Sequence, residues 1–344
     1  KNHTLAHLDH YLEQFETNVT EAGGHVHWCN DAAGARDTIL QICRDTDART
    51  VGKGKSMVSE EIHLNDFLIE NGLEVVETDL GEYILQLREE TPSHVVMPAI
   101  HLKKEQIATT FRDHHTELDP ARPLDAPSDM TEEARIKLRE KFLAADVGIT
   151  GANMLIAETG SIVVVTNEGN GDLTQTLPRV HIVIAAIEKV VPRVDDALSV
   201  LRILARSATG QEITCYTTFA TGPKRPDDLD GPEEFHLILL DNGRTKLLEG
   251  KFRDVLRCIR CGACQSACPV YGAVGGHAYG GVYGGPIGAV LTPALDGIEN
   301  AWPLPEASSF CGSCEAVCPM RIPLPGLMRR WRDVAHSEKL NKAG

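Results

Sequence analysis

The chain has 344 residues, 42% of them hydrophobic and 24% charged, and its 49 acidic side chains outnumber 34 basic ones to give a net charge of −15. This is an ordinary globular composition, long enough for two domains. No apolar run approaches the roughly 20 residues of a membrane-spanning helix. So acidic a surface, with no Lys/Arg stripe to offset it, argues against binding nucleic acid. No charged segment followed by an apolar one opens the chain, so secretion is unsupported, and a first residue of Lys1 rather than Met leaves room for a preceding segment.

In chain order, helical periodicity over 1–22 gives way to a strand over 25–29 and a helix over 31–45, with Asp31 in the N-cap position. Residues 50–54 read as a strand running into a Gly/Lys/Ser turn, and 59–72 as a helix closed by Gly72. Further strands are expected over 73–79 and 94–100, with helices over 81–90 and 103–114. This βαβα rhythm predicts a parallel sheet with helices on both faces. A proline-rich loop (119–129) precedes an amphipathic helix (131–146) with a Thr-x-x-Glu start. Two or three glycine-broken β runs follow over 147–169, then a strand over 181–187 and a helix over 195–210. Strands over 212–219 and 235–241 close the sheet, with a loop at 221–234 between them. A boundary near residue 248 separates this α/β domain (1–248) from a cysteine-bearing domain (249–344), entered through a linking helix over 248–257.

Seven of the ten cysteines lie in that second domain. Clustering without a secretion signal points to metal rather than disulfides. Cys258, Cys261, Cys264 and Cys268-Pro269 match the C-x2-C-x2-C-x3-C-P run of bacterial ferredoxins, in which the last cysteine of each run serves the other cluster. Cys311, Cys314 and Cys318-Pro319 repeat the phrase, with Ser308 in the place of the missing thiol. The expected first cluster takes Cys258, Cys261, Cys264 and Cys318; the second takes Cys268, Cys311 and Cys314. Three occupancies fit the second: a [3Fe–4S] centre, a [4Fe–4S] cube with a serine, water or substrate oxygen on its fourth iron, or an empty site. Zinc competes for a single C-x-x-C, but two Pro-terminated runs point to iron–sulfur. Cys29, Cys43 and Cys215 are expected to be buried, inert thiols. The glycine-rich stretch 272–288 reads as a coil over the clusters, or as a docking or small-molecule surface near His277, Tyr279 and Tyr283. The basic cluster at 328–333 reads as a solvated helix face, or as a surface for an acidic partner.

These phrases carry a resemblance. "RCIRCGACQSACPVY", "GGHAYGGVYGGPIGAVLTP" and "SSFCGSCEAVCP", with "KSMVSEEIHLN", "VVETDLGEYILQL", "ITGANMLIAETGSIVVVTNEGNG" and "ARSATGQ" upstream, resemble the lactate-utilisation protein B family. The resemblance implies a LUD domain with the ribose-phosphate isomerase/CoA transferase-like fold, then a small helical ferredoxin-like domain. It implies two [4Fe–4S] clusters, and electron transfer in an assembly oxidising L-lactate to pyruvate. The implied partners are a cysteine-rich subunit like those of heterodisulfide reductase and a second LUD protein. The implied location is cytoplasmic, including a peripheral position at the inner face of the membrane held through partners. Members of the family usually continue for about a hundred further residues.

Open α/β sheets place chemistry at strand ends. Lys53, Lys55, Glu158 and Asn167, together with His277, are therefore the candidate pocket residues. A lysine suits a substrate carboxylate, and solvated turn lysines are the competing reading. "AETGS" (157–161) resembles the nucleophile phrase of CoA transferases of this fold, though a turn or pocket role suits Glu158 better. No flavin or nicotinamide fingerprint is present. Iron–sulfur centres move single electrons while lactate yields two, so a relay subunit fits better than a complete enzyme. Two other readings stand beside it: a LUD domain that itself turns over a small carboxylic acid with the clusters as direct redox partner, and a binding protein with clusters as staples.

Overall fold

A computed structural model describes residues 1–340. Ten strands form two sheets. They are β1 (His25–Cys29), β2 (Thr50–Lys53), β3 (Glu74–Glu77), β4 (Val147–Gly151), β5 (Met154–Ile156), β6 (Ser161–Thr166), β7 (Val180–Ala186), β8 (Val190–Val191), β9 (Tyr216–Ala220) and β10 (Glu234–Leu240). The larger sheet is parallel throughout, in the order β1-β10-β7-β4-β2-β3. Every residue of β7 is buried, as expected of a central parallel strand covered on both faces. Its alternate side chains divide two cores. Ile182 and Ile184 face Ile39, Cys43, Val51, Ile149 and Leu240, whereas Val183 and Ala185 face Phe15, Val19, Leu155, Ile162 and Leu237.

The second sheet, in the order β8-β5-β6-β9, was not foreseen. It packs one face on the large sheet through Leu155 and Ile162. Its other face, with Met154, Ile156 and Val163, meets the helix Val194–Thr209 and also Ile259 and Cys261 of the first cysteine run. The expectation of one sheet holding both last strands is therefore corrected: β10 lies inside the large sheet and β9 at the edge of the small one.

Three local expectations also change. Residues 94–100 form no strand but bends and turns. Pro92 and Pro98 lack the amide a ladder needs, and Val95 packs instead into the core of the cysteine-bearing region. The helix expected over 59–72 breaks at His63, whose φ is 50°, into Met57–Glu61 and Leu64–Glu70. The linking helix ends at Gly250 as Arg244–Glu249, and a 3-10 turn, Arg253–Arg257, leads into the cysteines.

The C-terminal region is helical. Short helices Ala263–Ser266, Pro269–Val274 and Ser313–Ala316 carry the cysteine runs, and Gly285–Leu295 and Leu324–Ser337 pack behind them. Tyr283, Ile287, Val290, Leu327, Met328 and Trp331 form their core. Trp331 stacks on Phe252 at 3.9 Å and donates Nε1–H to the Val290 carbonyl at 2.9 Å. Arg329 and Arg330 of the basic cluster face solvent. The glycine-rich stretch is explained by close backbone approach: a Cβ at Gly276 would stand 1.7 Å from the Ser93 carbonyl oxygen. Among the described residues no helix is long and apolar enough to cross a membrane.

Candidate metal centre and the adjoining crevice

The first cysteine run winds tightly because two residues take positive φ, Arg260 at 60° and Gly262 at 75°. This turns Cys258, Cys261 and Cys264 to one side. They line a cavity together with Cys318, the last cysteine of the second run. Val95, Ile287, Met320, Ile322 and Leu324 make its walls apolar. Backbone amides point at two of the sulfurs: Arg260 N–H donates to Cys258 Sγ and Ile322 N–H to Cys318 Sγ, both at 3.4 Å. Burial pushes the Cys261 thiol up to about 11 and that of Cys264 well above the ordinary range, with the neighbouring thiols adding to the effect.

The remaining three cysteines form a second group. Burial raises Cys314 to about 11, reinforced by Cys268 and Cys311 beside it. Cys268 accepts from the Tyr271 amide at 3.5 Å and caps the helix Pro269–Val274. Cys311 is exposed, and hydrogen bonds with Ser313 and Ser309 hold its thiol below the usual range. Buried Tyr279 stands beside Cys264 of one group and Cys268 of the other. The structure thus brings together Cys258, Cys261, Cys264 and Cys318 around one cavity, and Cys268, Cys311 and Cys314 outside it.

The donor set is soft, and the walls offer no oxygen cage for a hard cation. Among the described residues no three His, Cys, Asp or Glu side chains gather closely enough to hold a single metal ion. Thiols spread around an apolar cavity suit a multi-metal cage. Of the other cysteines, Cys29 and Cys43 are buried as expected, but Cys215 is exposed, because it precedes the edge strand β9 rather than entering a core.

Next to the first cavity lies a crevice of about 290 Å³ at the C-terminal ends of β2 and β4. Lys55, Asn153, Asn167, Lys189 and Arg260 line it, together with Asp79 and Glu168. Arg260 and Val95 line both spaces. The Arg260 side chain is 9% exposed, pairs with Glu188 at 3.4 Å and lies over the Tyr283 ring at 5.0 Å. Its Nη1 has no hydrogen-bond partner. Burial lowers the Lys189 ammonium to about 8, helped by Arg260. Behind them Arg244, fully buried, clamps Glu61 at 2.7 Å and Glu188 at 2.9 Å, and Tyr283 donates its hydroxyl to Glu61 at 2.9 Å.

Of the candidate pocket residues, the crevice gathers Lys55 and Asn167 and leaves out three. Lys53 is buried in a triad with Glu60 at 2.9 Å and Glu77 at 2.7 Å. Burial opposes its charge, but the two carboxylates outweigh burial and raise its pKa. Glu158 sits on the surface, where its carboxylate accepts from the Val194 amide at 3.1 Å. His277 hydrogen-bonds to the Thr91 carbonyl at 2.8 Å and meets His101 edge-on at 4.5 Å, fastening the glycine-rich stretch to the 91–101 loop. Arg260 and Lys189 went unnoticed in the sequence. Nothing in a residue's type announces that its neighbours come from far along the chain.

Comparison with known proteins identifies both parts of the chain. Residues 12–240 match the family model of the LUD domain, and residues 254–322 that of the 4Fe-4S dicluster domain. The uncharacterized electron transport protein YkgF of Escherichia coli is 49% identical over 334 residues, covering 97% of this chain and 70% of that protein. Lactate utilization protein B of Shouchella clausii is 49% identical over 342 residues, covering 98% and 71%. That of Bacillus subtilis is 48% identical over 337 residues, covering 96% and 69%. A crystal structure of a DUF162 family protein from Deinococcus radiodurans aligns at 14% identity with a TM-score of 0.38, over 68% of this chain and 98% of that one, too distant to argue from.

Proposed function

The chain belongs to the lactate utilization protein B family, a LUD domain followed by a 4Fe-4S dicluster domain, and from that premise we propose that it is the iron–sulfur electron-transfer subunit of an assembly that oxidises L-lactate to pyruvate. Residues 1–248 are its LUD domain and 249–344 its ferredoxin-like domain. Cys258, Cys261, Cys264 and Cys318 hold one cluster, and Cys268, Cys311 and Cys314 hold another, both of the [4Fe–4S] type. Bound there, the clusters carry electrons singly. Its partners are a cysteine-rich subunit of the heterodisulfide-reductase kind and a second LUD protein, and it works on the cytoplasmic side.

The observation that carries this reading is the crossing of the runs: Cys318 lines the cavity of the first three cysteines, while Cys268 stands with Cys311 and Cys314. One thiol group lies inside against the LUD crevice, and the other reaches the surface at Cys311. That gradient from interior to surface suits a relay. The chain's own residues exclude water from the inner group, through Val95, Ile287 and Leu324, and set amides and the Arg260 charge toward its sulfurs.

The test is reduction of the anaerobically purified protein by L-lactate. The isolated chain should stay oxidised and should bleach once its two companions are added. Retained colour in the complete mixture would overturn the proposal.

One observation favours a second reading, in which the LUD domain itself takes a small carboxylic acid. The crevice shares Arg260 with the cysteine cavity and presents an unpartnered Nη1 beside Lys189. Under that reading L-lactate bleaches the isolated chain, and Arg260→Gln abolishes the bleaching while iron content is kept.

A further inference from the structure

The two cysteine runs are one loop built twice. In the first, Cys258 is followed by Arg260 at φ 60°, Gly262 at φ 75° and the helix Ala263–Ser266. In the second, at the same offsets, Ser308 is followed by Phe310 at φ 54°, Gly312 at φ 83° and the helix Ser313–Ala316. A non-glycine residue rarely adopts a left-handed backbone. Its recurrence at the same step of both loops means that the two are wound alike. The winding aims the amide of the third residue back at the side chain of the first. Arg260 N–H meets Cys258 Sγ at 3.4 Å, and Phe310 N–H meets Ser308 Oγ at 3.2 Å. Relative to its own loop, the Ser308 hydroxyl oxygen therefore stands where the Cys258 sulfur stands.

The rest of the correspondence holds as well. Cys258 shares its cavity with Cys261, Cys264 and the terminal cysteine of the opposite run, Cys318. The counterparts of those three are Cys311, Cys314 and Cys268, which also stand together. Three corners of the second group are thiols, and the loop equivalence makes Ser308 the counterpart of Cys258. Given the dicluster reading above, on which this rests, we propose that Ser308 Oγ is the fourth protein ligand of the second cluster, which is then a complete [4Fe–4S] cube with one oxygen-ligated iron. Ligation exchanges the O–H bond for an Fe–O bond and releases the proton to solvent. Positive charge nearby favours that loss. Arg332 reaches the Ser308 carbonyl at 3.4 Å, and its guanidinium lies 4.2 Å from the Phe310 ring centre. Metal–oxygen bonds are shorter than metal–sulfur bonds by roughly 0.2 Å, and the half-buried Ser308 lies at the surface end of its loop.

The test uses the full chain, reconstituted anaerobically, as wild type, Ser308→Ala, Ser308→Cys and Ser309→Ala. The readouts are iron and acid-labile sulfide counts, Mössbauer spectra and low-temperature EPR in ordinary and 17O-enriched water. Wild type should hold about eight irons and show no 17O broadening. Ser308→Ala should lose one iron and show a [3Fe–4S] signal. Ser308→Cys should regain the full count with a shifted spectrum, and Ser309→Ala should match wild type. An unchanged Ser308→Ala, 17O broadening in wild type, a [3Fe–4S] centre already present in wild type, or iron loss on Ser309→Ala instead would each overturn the assignment while leaving the first cluster intact. A chain with no acid-labile sulfide would overturn the dicluster reading together with it.

Discussion

Arg244→Met tests the charged network that joins the LUD domain to the cysteine-bearing region. Arg244 is fully buried, bonds both oxygens of Glu61 at 2.9 and 2.7 Å, and pairs with Glu188 at 2.9 Å. Glu61 and Glu188 are themselves 5% and 1% exposed. Removing the guanidinium leaves Glu188 with Arg260, but strips Glu61 of its cation, so that only Asn242 and Tyr283 still donate to it. Breaking a buried pair on one side costs about 3–5 kcal/mol, because the surviving charge stays desolvated. For a structure of this size that corresponds to a fall in Tm on the order of 10 °C. Thermal and urea unfolding followed by circular dichroism measures it. The informative control is Arg244→Met with Glu61→Gln: a neutral amide still accepts from Tyr283, so more than half of the loss should return. A single variant that loses under about 1 kcal/mol, or a double variant no more stable than the single, would refute the claim that this network holds the two parts together.

Other outcomes follow from particular contacts. His181 is 1% exposed, hydrogen-bonds to Thr150 at 2.8 Å, and burial lowers its pKa to about 3. The unfolded chain then binds the extra proton, so stability present above about pH 6.5 is lost on acidification, by about 2 kcal/mol at pH 5; His181→Gln should flatten that slope in pH-dependent urea titrations, and an equal slope would count against it. Gly276→Ala places a Cβ 1.7 Å from the Ser93 oxygen and should cost about 1–3 kcal/mol, with faster proteolysis of the 272–288 stretch; an unchanged Tm would mean that the contact is not tight. Cys264→Ala should remove the inner cluster's absorbance and EPR signal while far-ultraviolet circular dichroism stays near wild type, since the cores on the two faces of the large sheet contain none of its neighbours; full iron content would sink the ligand assignment.

The strands of the large sheet were legible because central parallel strands are almost wholly apolar, broken only by one histidine each in "VHIVIAA" of β7 and "FHLILL" within β10. The small sheet was not, because β5 and β8 are only three and two residues long, and β9 finds β6 only through pairing with residues some fifty positions away (Thr166 with Tyr216). Residues 94–100 looked like a strand for a different reason. Val95 and Val96 pack against the cysteine region, and Val95 N–H is satisfied by Gln265 at 3.3 Å rather than by a ladder. Spacing made the cysteines readable, since ligand geometry is local to each loop. The crevice was only half readable. Lys53 looked like a turn lysine, yet its register partner in β3 is Glu77, and that pairing takes it out of solvent.

The repeated left-handed residue shows how one loop serves two surroundings. An L-residue in that conformation gives up roughly 1–2 kcal/mol, and Gly262 and Gly312 show that glycine is at hand for such positions. Arg260 and Phe310 hold it nonetheless, so their side chains must return something. Arg260 turns inward: it meets Glu188 and Tyr283, touches the LUD crevice, and sends its amide to Cys258. Phe310 turns the other way and lies between Arg329 and Arg332 of the last helix, at 5.2 and 4.2 Å. The same backbone step thus ties one thiol group to the α/β domain and the other to the arginine-bearing face of the last helix. For the relay proposed above, this sets one centre against the crevice and the other at the surface. Exchanging the two anchors, with Arg260→Phe and Phe310→Arg together, should leave both loops able to wind but uncouple the inner centre from the crevice. The measurable consequence is a changed midpoint potential of the inner cluster, with that of the outer one nearly unmoved. Equal shifts in both would mean that the anchors set only the fold of the loops.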